Sequence, residues 1–224
     1  MAGVSIDSRV SQRPLVIACG ALTADLRGVL QVNDLADAVE VQYLPANYHS
    51  RPDKIVPALR PLLDAAATTG RPVYVAYADC GTGGLLDALL TEYPGVDRLP
   101  GAHCYEFFAG SAEFAAMHED QLGTLYLTDF LAKHFDALVW SALGLDRAPQ
   151  LRDAYFGNYT RVMLLAQTED SAITARAREA AARLGLRFER RFVGRDGLGD
   201  PVAVGISRTR SAAHLLTDSE GALV

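Results

Sequence analysis

Short unbroken apolar runs alternate along this chain with longer stripes of helical period. The run LVIAC, followed by Gly20, has the pattern of a short strand buried on both faces and ended by a turn. Leu22, Leu26, Val29 and Leu30 then recur at helical spacing. Residues 39–44, VEVQYL, alternate and predict a second strand. The loop PANYHSRP follows, and a helix is predicted from about Asp53 to Ala67, with Asp53 at its cap or first turn and Pro57 and Pro61 confining its early turns. Gly70 closes that helix. RPVYVAYADCG, apolar at nearly every position, predicts a central strand. The turn GTGG then opens a helix through Leu85, Leu86, Leu89 and Leu90 that stops near Tyr93-Pro94-Gly95.

VDRLPGAHCYEFFAG predicts a loop and then a helix from about Tyr105 to Glu119, interrupted by Gly110. Leu127, Phe130, Leu131, His134, Phe135, Leu138 and Val139 share one face, predicting a helix capped by Thr128 or Asp129 and ended by Gly144. A short helix (PQLRDAYFGNY), a buried strand (RVMLLAQT) and a long helix capped by Asp170 or Ser171 and closed by Gly185 come next. LRFERRFVG alternates, as an edge strand does, and VAVGI reads as a further short strand. Strands alternating with helices predict an α/β fold: a mostly parallel sheet, helices on both faces, and a functional edge at the carboxyl ends of the strands. The predicted organisation is a loose N-terminus over 1–12, a single α/β domain over 13–205 with a candidate boundary near 122, and a tail over 206–224.

Composition narrows the function classes. Half of the 224 residues are hydrophobic, enough for a core without disulfides or structural metal. The net charge is −6, with no basic block and no aromatic–basic interleaving, so no nucleic-acid partner is expected. No secretory signal and no membrane-length apolar run is legible. Three cysteines cannot all pair within one chain, so a cytoplasmic location with free thiols or metal ligands is expected.

The chemistry gathers at those cysteines. Cys19 and Cys80 each precede glycine directly after an apolar strand, and Cys104 follows His103. Ligands bind outside the carboxyl ends of strands in open α/β sheets, and neighbouring strand ends lie roughly 5–10 Å apart. Three thiolates with a fourth position open is the layout of a catalytic zinc site, and the same three can hold an iron–sulfur cluster. Gly81, Gly83 and Gly84 offer backbone amides at a helix start, a candidate anion or cofactor cradle, although neither a Walker loop nor GxGxxG is present. His49 lies in a loop on the same edge as a candidate acid–base or fourth ligand, and His103 as a candidate ligand or tuning group. Asp79 and Glu106 are the candidate catalytic carboxylates, with Asp129 as a third or simply a helix cap. Asn158 and Tyr159 are candidate cleft or turn residues, and His134 reads as a core histidine.

The pieces CGALTADL, YHSRP, YADCGTGG, HCYEFFAG and LTDFLAKHFD resemble the bacterial and archaeal DUF1638 family over roughly residues 14–195. The family pattern maps onto Cys19, Cys80, Cys104 and His49. The family brings no activity with it, but its members often accompany corrinoid-dependent methyltransferase genes. The resemblance thus implies methyl or one-carbon chemistry and a corrinoid or methyltransferase partner. The chain has no DxHxxG cobalamin-ligand motif.

The expected function is a metal-dependent enzyme, a transferase or lyase, with a three-cysteine centre holding zinc and acting on a small molecule. Two alternatives keep the same ligands: a [4Fe–4S] enzyme with one iron open, and a non-catalytic protein that handles a metal or corrinoid. A fourth dispenses with metal and makes Cys80 a nucleophile with His49 or His103 as its base. Oligomeric state is not legible.

Overall fold

The computed structural model describes residues 13–220. The loose N-terminus expected over 1–12 lies outside them, as do residues 221–224. Two sheets form, both parallel throughout. The first contains β1 (Leu15–Cys19), β2 (Glu40–Leu44), β3 (Val73–Ala76) and β4 (Asp97–Arg98), in the order β2-β1-β3-β4. The second contains β5 (Thr124–Thr128), β6 (Arg161–Ala166) and β7 (Arg187–Phe192), in that order. The chain passes from one sheet to the other near residue 122.

The first sheet is covered on both faces. Alternation along β1 sends Val16 and Ala18 to one side and Leu15 and Ile17 to the other. The first side packs against α1 (Thr23–Val32) and the second against α2 (Ile55–Thr69) and α3 (Leu85–Leu90). Helices on opposite faces follow from the strand order. The chain steps from β1 to β2 on one flank and then crosses to β3 on the other, so the direction of winding reverses between β1 and β3. Their carboxyl ends frame the crevice that ligands favour in open parallel sheets.

α4 (Cys104–Ala109) is shared between the halves. Phe107 and Phe108 pack towards the first sheet, and Tyr105 towards Tyr126 of the second, with ring centroids 5.7 Å apart. α5 (Ser111–Asp120) follows it, and Gly110 separates the two as expected. On the second sheet, α6 (Asp129–Lys133) and α8 (Ser171–Leu184) cover the face of Leu127, Val162 and Leu164, and α7 (Leu151–Phe156) adds Phe156. Asp170 caps α8 by accepting from Ala172 and Ile173 N–H, and Gly185 ends it in the left-handed region. β7 is an edge strand, as its alternation predicted.

Three expectations are corrected. The stretch from Leu127 to Val139 is not one helix: Leu127 belongs to β5, α6 is a single short turn, and a π-helical turn runs from Asp136 to Trp140. VAVGI is not a strand but part of α9 (Asp196–Glu220), which returns to the first sheet with Val202 and Ile206 buried. The tail expected from 206 therefore begins inside a packed helix, and Thr209 is buried as well. Among the described residues no helix is long and apolar enough to cross a membrane.

Candidate functional site

Cys19 is the last residue of β1, in register with Leu44. The chain leaves the strand through Gly20, where a Cβ would stand 2.7 Å from the Leu44 carbonyl oxygen. Only glycine lets the turn pass that close to β2.

Cys80 lies just beyond β3 and holds φ at 51°, the left-handed region, with Gly81 next at 84°. The Thr82 N–H donates to Asp79 O at 3.1 Å, so residues 79–82 make a tight turn with both central residues at positive φ, as in type I′. Glycine takes that conformation freely at the second position; for cysteine at the first it costs about 1 kcal/mol. Two bonds extend the β3–β4 pairing into this turn: Asp79 N–H to Gly101 O at 3.1 Å and Cys80 N–H to Ala102 O at 2.8 Å. They hold Cys80 beside the loop that delivers Cys104, the first residue of α4.

The three thiols therefore come from three separate elements to one end of the first sheet. All are half-buried and none is in a disulfide. Burial pushes Cys80 up to about 12, and the charge of an ionised Cys19 pushes the same way. Cys104 is raised well above its ordinary value by burial, then by the charges of Cys80 and Cys19. Cys19 is raised by burial against the opposing pull of the Ala21 amide and the Tyr77 hydroxyl. Each is a neutral thiol near pH 7, and Cys80 and Cys104 lie within electrostatic reach of Cys19. Among the described residues, no three His, Cys, Asp or Glu side chains stand in ligand-ready geometry for a metal ion. The thiols are neighbours, not a preassembled cage.

Two tyrosines complete the surroundings, and the sequence pattern did not single them out. Tyr77 is 1% exposed, and its hydroxyl has no hydrogen-bond partner. It stands beside Cys19, positioned to donate to a thiolate there. Tyr105 follows Cys104. Burial and then the charges of Cys104 and Cys80 raise its phenol well above the ordinary value. The His49 ring meets Tyr105 edge-on and the His103 ring lies tilted to it, each with centroids 6.4 Å away. His49, in the 3₁₀ turn Ala46–Ser50, is half-buried; burial and then the charge of His103 lower its pKa, so it is a neutral imidazole at pH 7. His103 is exposed.

The candidate carboxylates have structural partners. Asp79 accepts from Thr82 Oγ1 at 2.5 Å, Gly84 N–H at 2.9 Å and Gly83 N–H at 3.1 Å. Burial raises its pKa, but these bonds and the Arg98 charge outweigh that and hold it below the usual range. The amides of Gly83 and Gly84, expected to cradle an anion, are thus satisfied by the chain's own carboxylate. Gly81 turns towards Pro52 instead. Glu106 accepts from the Ala102 N–H at 2.7 Å, which with the Ser111 hydrogen bond lowers its pKa and fixes the loop before Cys104. Both carboxylates are half-buried and hydrogen-bonded within the loops that carry Cys80 and Cys104.

Asp129 is buried at the end of β5, accepting from Gln167 N–H and Thr168 Oγ1. Asn158 and Tyr159 precede β6 and lie in a turn. His134 is exposed and packs on Phe130 at 4.5 Å, so it is not the core residue its helical position suggested.

A family model described as "Protein of unknown function (DUF1638)" matches residues 43–200. His49, Cys80 and Cys104 fall inside the match, and Cys19 precedes it. No curated protein and no solved structure matches the chain.

Proposed function

The chain belongs to the DUF1638 family, whose description assigns no function, and from that premise we propose that it is a metal-dependent enzyme with a centre held by Cys19, Cys80 and Cys104. The observation that carries this reading is the backbone of Cys80. A cysteine at φ 51° is strained by about 1 kcal/mol, and strain of this kind clusters at functional sites. Here the turn aims it at the point where the first sheet reverses its winding, beside two more thiols.

The residues fit a metal by their chemistry. Three sulfur donors suit zinc or iron and no hard cation. The buried Tyr77 hydroxyl stands beside Cys19, where a thiolate would be a stronger acceptor for it than the neutral thiol. Zinc is the first choice and would supply Lewis acidity towards a small substrate at its fourth position. The chain's own residues do the rest. Cys19, Cys80 and Cys104 would hold the ion and would give up their protons to do so. Asp79 and Glu106 hold the loops that carry Cys80 and Cys104. His49, kept neutral beside Tyr105, is the group available to accept a proton from a bound substrate. Methyl, one-carbon or thiol chemistry is the reaction class proposed, with a corrinoid or methyltransferase as partner. A [4Fe–4S] cluster on the same cysteines, or a role in handling a metal or corrinoid, are the competing forms of this reading.

Anaerobic purification without chelators, followed by elemental analysis and a UV–visible spectrum, separates the readings. About one zinc per chain in a colourless protein supports the proposal. A brown protein with broad visible absorbance and about four irons per chain moves it to the cluster. Clearly substoichiometric metal, with activity retained, overturns it in favour of a metal-free cysteine enzyme.

A further inference from the structure

We infer that Tyr77 is a positioning residue of the thiol site, donating its hydroxyl hydrogen to the Cys19 thiolate and so fixing and tempering that sulfur as a ligand; this rests on the metal-centre reading. The register of the first sheet puts the two residues together. Ala18 pairs with Ala76 across β1 and β3, so Cys19 and Tyr77 follow side by side, about 5 Å apart in backbone. Both side chains turn to the α2–α3 face, where Ile17, Val75, Leu86 and Leu89 surround them.

That setting makes the hydroxyl anomalous. Tyr77 is 1% exposed, its ring packs in an aliphatic cluster that Cys19, Cys80 and Tyr48 also join, and its oxygen meets none of them in hydrogen-bond geometry. A buried hydroxyl left unpaired costs about 1–3 kcal/mol. Phenylalanine would fill the same volume without that penalty. With neutral thiols the hydroxyl has at best a weak sulfur acceptor in Cys19. The contact strengthens when the sulfur beside it carries negative charge, since hydrogen bonds to ionised acceptors are about twice as strong as neutral ones. Metal loading is the event that ionises Cys19. Outer-shell hydrogen bonds of this kind orient metal ligands, and losing one commonly weakens metal binding 10–100-fold.

The test is a cobalt(II) titration of the metal-free full chain, comparing wild type with Tyr77→Phe, read by the near-ultraviolet sulfur-to-cobalt charge-transfer band. Denaturant unfolding of both metal-free proteins runs alongside. The expected result is roughly 10–100-fold weaker cobalt binding by Tyr77→Phe. Its charge-transfer band moves to longer wavelength, because the sulfur loses a hydrogen bond and holds its electrons less tightly. Its metal-free form is as stable as wild type or more so, because the substitution removes an unpaired hydroxyl. Unchanged affinity with an unchanged band, while wild type binds cobalt through sulfur, overturns the role of Tyr77 and leaves the metal centre standing. Loss of metal-free stability in step with affinity also overturns it, showing a packing role. A wild-type protein with no sulfur-to-cobalt band overturns the metal centre itself, and this inference with it.

Discussion

At Cys80 the backbone favours glycine and the side chain is cysteine. With φ at 51°, a Cβ is strained there, so Cys80→Gly should be more stable than Cys80→Ala by about 1 kcal/mol, reversing the usual order of those residues. Paired denaturant curves measure this, and alanine equal to or above glycine would show no strain at the site. Cys80→Ser should lose metal retention while circular dichroism stays native, because the core does not depend on a metal. Protonation sets a further expectation. With Cys80 pushed up to about 12 and the other two thiols raised as well, each must lose a proton on loading. Metal affinity should therefore rise with pH, by about one decade per unit for each proton released, across the neutral range. A flat profile between pH 6 and 8 would mean the thiols are not the ligands. Cys19 and Cys80 were legible in the sequence because cysteine before glycine after an apolar run is a rare conjunction, and Cys104 because it follows a histidine. Tyr77 and Tyr105 were not. An aromatic residue in an alternating strand or an apolar helix carries the same pattern whether its hydroxyl is idle or aimed at a ligand.

At the scale of elements, the turn from Asp79 to Gly84 is held by one carboxylate. Asp79 accepts three hydrogen bonds within its own loop, which is why GTGG makes a rigid turn rather than an open anion cradle. Asp79→Ala should cost about 1–2 kcal/mol and weaken metal retention by loosening Cys80, whereas Asp79→Asn should retain most of both. The folded pKa of Asp79 lies below the unfolded value, so its contribution is complete above about pH 4 and is lost as pH falls through the folded value. Stability of Asp79→Ala should therefore approach that of wild type in strong acid; a constant gap down to pH 2 would contradict this. Strands β1, β3, β6 and β7 and helices α1, α2 and α8 were legible because each keeps one period for its whole length. β5 was not, because its five residues run directly into α6 and the two periods merge. VAVGI carries the β-branched residues of a strand, yet packs as helix. Gly205 there lets α9 lie against the Tyr74 ring, and Tyr74 Oη donates to Pro201 O at 3.2 Å. That contact joins positions 127 residues apart, which no local pattern reports.

Across the whole molecule, two parallel sheets are tied by α4, by α9 and by one buried carboxylate. Asp25 in α1 accepts from Arg195 Nε at 2.6 Å, binding the start of the chain to the loop that enters α9. Burial raises the Asp25 pKa and Arg195 opposes that rise. Arg195→Ala strands a charge in the interior and should cost about 2 kcal/mol at pH 7, less than a fully enclosed pair because Arg195 is partly exposed. Once Asp25 is protonated the loss disappears, so the gap from wild type should narrow as pH falls towards 4 and below. A gap that widens in acid would contradict this assignment. The α/β class was legible from the alternation of elements; the division into two sheets was only a candidate boundary, because strand pairing is decided by contacts far apart in sequence. In the proposed centre this architecture delivers three sulfurs to one ion. Zinc-edge X-ray absorption on the anaerobically purified, zinc-loaded chain tests it most directly. Three sulfur scatterers at about 2.3 Å are expected, with a single lighter atom beside them. A first shell of nitrogen and oxygen alone, or one holding a single sulfur, would contradict it.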